Sequence, residues 1–204
     1  MTTLTLEKQK PLVKISYDDY ADNPRGWDNI THMYCHHREY NLGDTYVNKK
    51  FNIKDFENWS EVEDAIKAEY DVAIIEPLSL YDHSLQTVHM GRNSGWDWSN
   101  IGFIFMTKEQ AKEVLNGYEG VYTKPMQDKL LSVMQSDIDT YNQYLTGDVH
   151  VISLYDVFED DNGHRVEECV DSCCGFYFNK DYTVENAIKD YLCLDKGEYD
   201  LVEE

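Results

Sequence analysis

Between Met126 and Leu145 apolar side chains recur at Leu130, Met134, Ile138 and Tyr141, in steps of four, four, four, three and four. That spacing lines one face of an α-helix and predicts a helix over 123–145. Pro125 falls in its first turn and Gly147 just past its end, each where a helix tolerates it best. The opposite face, with Asp128, Gln135, Asp139 and Asn142, is expected to be solvated. A second helix is expected from Ser60, read as an N-cap with Glu63 three residues on, to Tyr70. Thr107 is placed to cap a short helix through Leu115, and Thr183 a final amphipathic one to about Leu194. Apolar runs bounded by turn signals predict strands over 8–16, 71–76, 101–106 and 148–155. A return over 175–178 is expected after a hairpin turn at Asp161-Asn-Gly. These elements imply an α+β fold, a mixed or antiparallel sheet packed against one long helix and shorter helices. The expected organisation is a single domain over 1–178 and an acidic helical extension over 179–204.

Composition narrows the classes. In 204 residues, 42% hydrophobic and 13% aromatic content is enough to build a core. No apolar run reaches the roughly 20 residues of a membrane span, and the N-terminus lacks a basic segment followed by an apolar one. The expected location is therefore a cytoplasm. Cys35, Cys169, Cys173, Cys174 and Cys193 are odd in number and are expected as reduced thiols. Thirty-nine acidic against 18 basic side chains leave a net charge of −21. Such a chain is repelled by nucleic acid and by anionic membranes, because phosphate binding needs clustered Lys and Arg.

Several segments belong together. Asp22-Asn-Pro-Arg-x-Trp-Asp-Asn leads into Cys35-x-His37-Arg38-x-Tyr40-Asn-Leu-Gly-Asp44, and Leu80-Tyr-Asp-His-Ser84 follows. Tyr144-Leu-Thr-Gly-Asp148 and Asp171-Ser-Cys173-x-Gly-Phe-Tyr177 complete the set. Over residues 18 to 178 this pattern resembles a family of small acidic proteins encoded by bacteriophages and other mobile elements, to which no function is assigned. The resemblance implies a phage context and a host-cell cytoplasmic setting. Cys174 stands where the family pattern often carries Trp, and the chain after Phe178 extends beyond it.

Two sets of residues carry candidate chemistry. Cys35, His37, Asp82, His83 and Cys173 offer thiol, imidazole and carboxylate groups, the makings of a Cys/His-dependent enzyme, a metal site or a small-ligand pocket. The spacing matches no zinc knuckle, and neither a nucleophile elbow nor a phosphate-binding glycine loop is present. No cofactor is expected, zinc at these residues being the alternative. Hydrogen bonding within loops is the plainer account of these side chains, and capping of a turn that of Asp82.

The second set follows the charge. Residues 148–204 hold 16 acidic and 4 basic side chains, a net of −12, and the preceding 147 residues hold the other −9. Surplus charge keeps a protein soluble, and it also steers association with a basic partner. Carboxylates on a rigid surface can stand in for duplex phosphates, which present one charge per roughly 1.7 Å of axis. In a phage context the expected function is inhibition of a host nucleic-acid-handling defence protein, such as a restriction enzyme or CRISPR effector, by acidic DNA mimicry. The partner-binding residues would be Glu159, Asp160, Asp161, Glu167 and Glu168. Trp96 and Trp98, two apart in an extended glycine-broken loop, would share a face as apolar anchors.

Overall fold

The computed structural model describes residues 7–159 and 163–203. The first half forms β1 (Glu7–Lys8), β2 (Leu12–Tyr17), β3 (His32–Cys35), α1 (Thr45–Lys50), α2 (Trp59–Glu69), β4 (Val72–Asp82) and β5 (Gln86–Met90). The second half forms β6 (Trp98–Thr107), α3 (Lys108–Val114), α4 (Lys124–Thr146), β7 (His150–Glu159), β8 (Arg165–Phe176), α5 (Val184–Leu192) and β9 (Asp200–Glu203). The fold is α+β, and α4 is its one long helix. The chain divides into two compact units: a central unit, Asn23–Thr146, and a terminal unit assembled from Met1–Asp22 and Gly147–Glu204.

The central unit is a four-stranded antiparallel sheet in the order β3-β6-β4-β5. Strand alternation serves two helical layers at once. Met33, Cys35, Ile104 and Met106 pack with Leu130, Met134, Ile138 and Tyr141 of α4. Tyr34, Phe103 and Phe105 pack on the other side, with Val47 of α1 and Val62 and Ile66 of α2. The predicted helical stripe is thus the buried face of α4. The register of β6 on β4 slips between Leu78, opposite Gly102, and Ser79, opposite Asn100. The bulge gives Ile101 to the α4 side along with Ile104. Gly102 at φ +152° is required there, since a Cβ on it would stand 2.0 Å from the Tyr34 carbonyl oxygen.

Local signals place most boundaries. Thr107 accepts the Gln110 N–H while the Gln110 side chain accepts the Thr107 N–H, a complete capping box for α3. Thr183 and Asn186 make the same box for α5. At α2 the cap is Asn58, not Ser60: its side-chain oxygen accepts the N–H groups of Ser60 and Glu61. Strand β4 runs past Pro77, six residues beyond the predicted strand. The ladder with β5 starts at Leu78, so the missing N–H of Pro77 removes no bond from it. Asn142, expected to be solvated, instead bonds both backbone groups of Val88 in β5, donating to its carbonyl at 2.8 Å and accepting its N–H at 2.7 Å.

In the terminal unit β7 lies between β8 and β2, β1 continues alongside β7 next to β2, and β9 pairs with β2 in parallel. Val13, Ile15 and Ile152 form one face and are covered by Ala187 and Ile188 of α5, with Tyr199 completing the cluster. Residues 179–203, expected as an extension, therefore supply α5 and β9 to this unit. The return strand begins at Arg165, ten residues before the predicted start. Its acid-rich, exposed run carries little apolar alternation, and pairing with β7 is what holds it extended.

No helix among the described residues is long and apolar enough to cross a membrane.

Candidate functional site

The polar residues singled out in the central unit do not converge into one site. Cys35 is 5% exposed within the α4-side core, and burial, helped by the Asp44 charge and opposed by Arg25, pushes its thiol well above the ordinary range. A thiol held protonated and away from solvent is no nucleophile. His37 stacks on Tyr40, rings 4.9 Å apart. The Asp82 carboxylate pushes the Tyr40 phenol up, and Asp82 accepts from the Gln86 amide at 3.3 Å. His83 turns to solvent, its Nδ1 3.6 Å from Asp97 and not directed to Asp82. Cys173 belongs to the terminal unit, on β8. Among the described residues no group of three or more His, Cys, Asp or Glu side chains is placed to hold a metal.

The structure brings together a set that motif reading did not select. Arg25, held in a tight turn by the Asn23 cap, and Asp44, at the start of α1, are each 2% exposed at the side chain. Arg25 Nε donates to Asp44 Oδ1 at 2.8 Å, and another of its nitrogens donates to the Thr31 carbonyl at 2.9 Å. Asp44 Oδ2 accepts the Met33 N–H at 2.9 Å. Asp137 of α4 accepts the Thr31 hydroxyl at 2.5 Å and lies 3.7 Å from Arg25. The Asp44 charge also acts on Tyr46, whose phenol is pushed up to about 12 by burial first and that charge second. Tyr46 in turn meets Nδ1 of His32, whose Nε2 faces the Gln110 amide at 3.1 Å. Burial, reinforced by Arg25 and Lys50 against the pull of Asp44, lowers the His32 pKa and favours its neutral form. The legible trace of this network was the two polar segments Asn-Pro-Arg25 and Leu-Gly-Asp44, whose charged residues lie 19 positions apart.

Chemically this network is a clamp. It ties the loop before β3, the start of α1 and the side of α4 into one hydrogen-bonded frame. A cavity of about 400 Å³ opens beside it, lined by Asn23, Arg25, Trp27, Thr45, Tyr46 and Lys49. The Arg25 charge is already matched by Asp44, which leaves Lys49 as the cation facing that space.

In the terminal unit the predicted partner-binding carboxylates divide. Asp160 and Asp161 lie outside the described residues. Glu167 is not free: Lys14 Nζ stands 2.9 Å away and Arg165 Nε 3.1 Å away, and the hydrogen bond from Lys14 lowers its pKa. Glu159 and Glu168 make no ion pair among the described residues and project from β7 and β8. Trp96 and Trp98 do not share a face. Trp96 is fully exposed, whereas Trp98 is partly buried against Tyr81 and His89, each ring 5.1 Å away. Both Trp residues belong to the central unit.

No protein-family model, curated protein or solved structure matches the chain.

Proposed function

We propose that this protein is a phage or mobile-element accessory protein that acts in the host cytoplasm by binding and inhibiting a host nucleic-acid-handling defence protein. Its terminal unit is the contact surface, competing with nucleic acid for a basic groove. One observation carries the reading: the distribution of charge over that unit. Residues 1–22 and 147–204 hold 20 acidic and 7 basic side chains, a net of −13. Six of the seven cations are held by the unit's own carboxylates. Lys8 pairs with Asp156, Lys10 with Asp200, Lys14 and Arg165 with Glu167, Lys189 with Asp195, and Lys196 with Glu185. Glu159 and Glu168 make no ion pair among the described residues and are exposed on β7 and β8. Surface pairs of this kind add little stability. Their effect is on the field, because no cationic patch interrupts the negative one.

The test is competition. Immobilised protein captures its partner from host lysate at low salt, and duplex DNA in excess releases it, as does raised salt. Replacing Glu159 and Glu168 by Gln together weakens capture. A partner that stays bound through both excess DNA and high salt overturns the proposal.

A further inference from the structure

Every sheet ends in edge strands whose outward N–H and C=O groups need partners, and this fold closes most of them with side chains. At the β3 edge Asp44 accepts the Met33 N–H and Asn48 accepts the Cys35 N–H at 2.8 Å, while the Asp44 N–H donates to the Met33 carbonyl. At the β5 edge Asn142 takes both groups of Val88. The edge strand β9 spans four residues. Strand β8 is different: twelve residues, paired only with β7 among the described strands, and exposed along nearly its whole length. Local bonds satisfy its far end, where Ser172 N–H donates to Asp171 and Gly175 N–H to Asp18. Over 165–170 the backbone has no such side-chain partner among the described residues. Val166 and Val170 are 51% and 56% exposed there.

We propose that the open edge of β8 over 165–170 receives an extended basic segment of the partner protein, added to the sheet as a further strand. This rests on the proposed function above and names how the acidic unit grips its target. Charge selects the occupant. Glu168 lies on the open stretch without an ion pair among the described residues and Asp171 follows it, whereas Glu167 already holds Lys14 and Arg165, and Asp156, opposite Glu168 on β7, holds Lys8. A second copy of the chain, pairing edge to edge, would set these carboxylates against their own kind, which destabilises cross-strand pairs. Val166 and Glu168 share one face of β8, opposite Phe158 and Asp156, so a segment alternating Lys or Arg with small apolar residues lays its cations on that face, charged ends at Glu168 and methylene stems over Val166. In strand addition the backbone bonds supply affinity, and the side chains choose the partner.

Three labelled eight-residue peptides test this on the whole protein by fluorescence anisotropy at low salt. One alternates Lys and Val, one has the same composition with two central residues replaced by Pro, and one alternates Glu and Val. The Lys/Val peptide is expected to bind at least ten-fold more tightly than its Pro-broken counterpart, with no binding of the Glu/Val peptide. Hydrogen exchange at 165–170 should slow on binding. Equal binding of the two Lys peptides, without protection of β8, overturns strand addition and leaves the acidic-surface reading standing. Absence of binding by all three overturns both. A concentration-dependent dimer that protects 165–170 overturns the basic-segment proposal in favour of a second copy.

Discussion

The sharpest structural test is Asp44→Asn. The substitution keeps shape and removes charge, at a carboxylate 2% exposed that accepts the Arg25 Nε–H at 2.8 Å and the Met33 N–H at 2.9 Å. An amide has one accepting oxygen, so its NH2 must face either the guanidinium or the backbone donor. One buried donor is then left unmatched, at about 1–3 kcal/mol. Arg25 also loses its close counter-charge and keeps only Asp137, 3.7 Å away and 20% exposed. Breaking a buried pair by removing one partner costs about 3–5 kcal/mol in all. At roughly 2–4 °C per kcal/mol for a chain of this size, that is a fall in Tm of about 6–20 °C. Asp137→Asn, at a more exposed and more distant partner, should cost about 1 kcal/mol. Urea unfolding followed by circular dichroism, completed by a double-mutant cycle of Arg25→Met with Asp44→Leu, measures the coupling. The double variant should be more stable than either single one, because it leaves no buried charge unpaired. A loss below about 1 kcal/mol for Asp44→Asn, or simple additivity in the cycle, would refute the clamp.

Four other outcomes are expected. Gly102→Ala puts a Cβ 2.0 Å from the Tyr34 carbonyl and should cost about 3 kcal/mol or more by thermal melting, the β3–β6 ladder loosening first. Asn142→Leu strips Val88 of two hydrogen bonds and should accelerate exchange of its amide severalfold, with unchanged exchange as the contrary result. The His32 ring, followed by NMR, should stay neutral below the ordinary histidine pKa of 6.5. Since its folded pKa is lowered, its contribution to stability is complete above 6.5 and lost as pH falls through the folded value, so His32→Gln should flatten that part of the stability profile. Glu168→Gln should reduce affinity for the captured partner more than Glu167→Gln, because Lys14 and Arg165 already neutralise Glu167.

The helices and their periodic faces were announced locally. Period and caps are properties of neighbours in sequence, so the stripe from Leu130 to Tyr141, the Thr107 and Thr183 caps and the hydrophobic run of β6 were legible before any contact was known. The Asn58 cap was missed because Ser60 matched the Ser-x-x-Glu pattern equally well, and which of the two accepts the free N–H groups depends on where the chain enters the helix. Charge was legible as a total and as a slope toward the C-terminus. Its assignment was not, since Lys14 reaches Glu167 only because β2 and β8 flank the same strand.

The polar set around Cys35 illustrates the same limit from the other side. Residue type marked thiol and imidazole as reactive, but reactivity follows from solvent access and partners, and β3 turns Cys35 into the core. Sequence alone determined the fold class, the helices and the sign of the charge, because each rests on local periodicity or on composition. Tertiary structure decided that Arg25 meets Asp44, that Asn142 closes β5 and that β8 stays open. Each of these joins or separates segments far apart in the chain, and burial, which sets the strength of their interactions, exists only once those segments have packed.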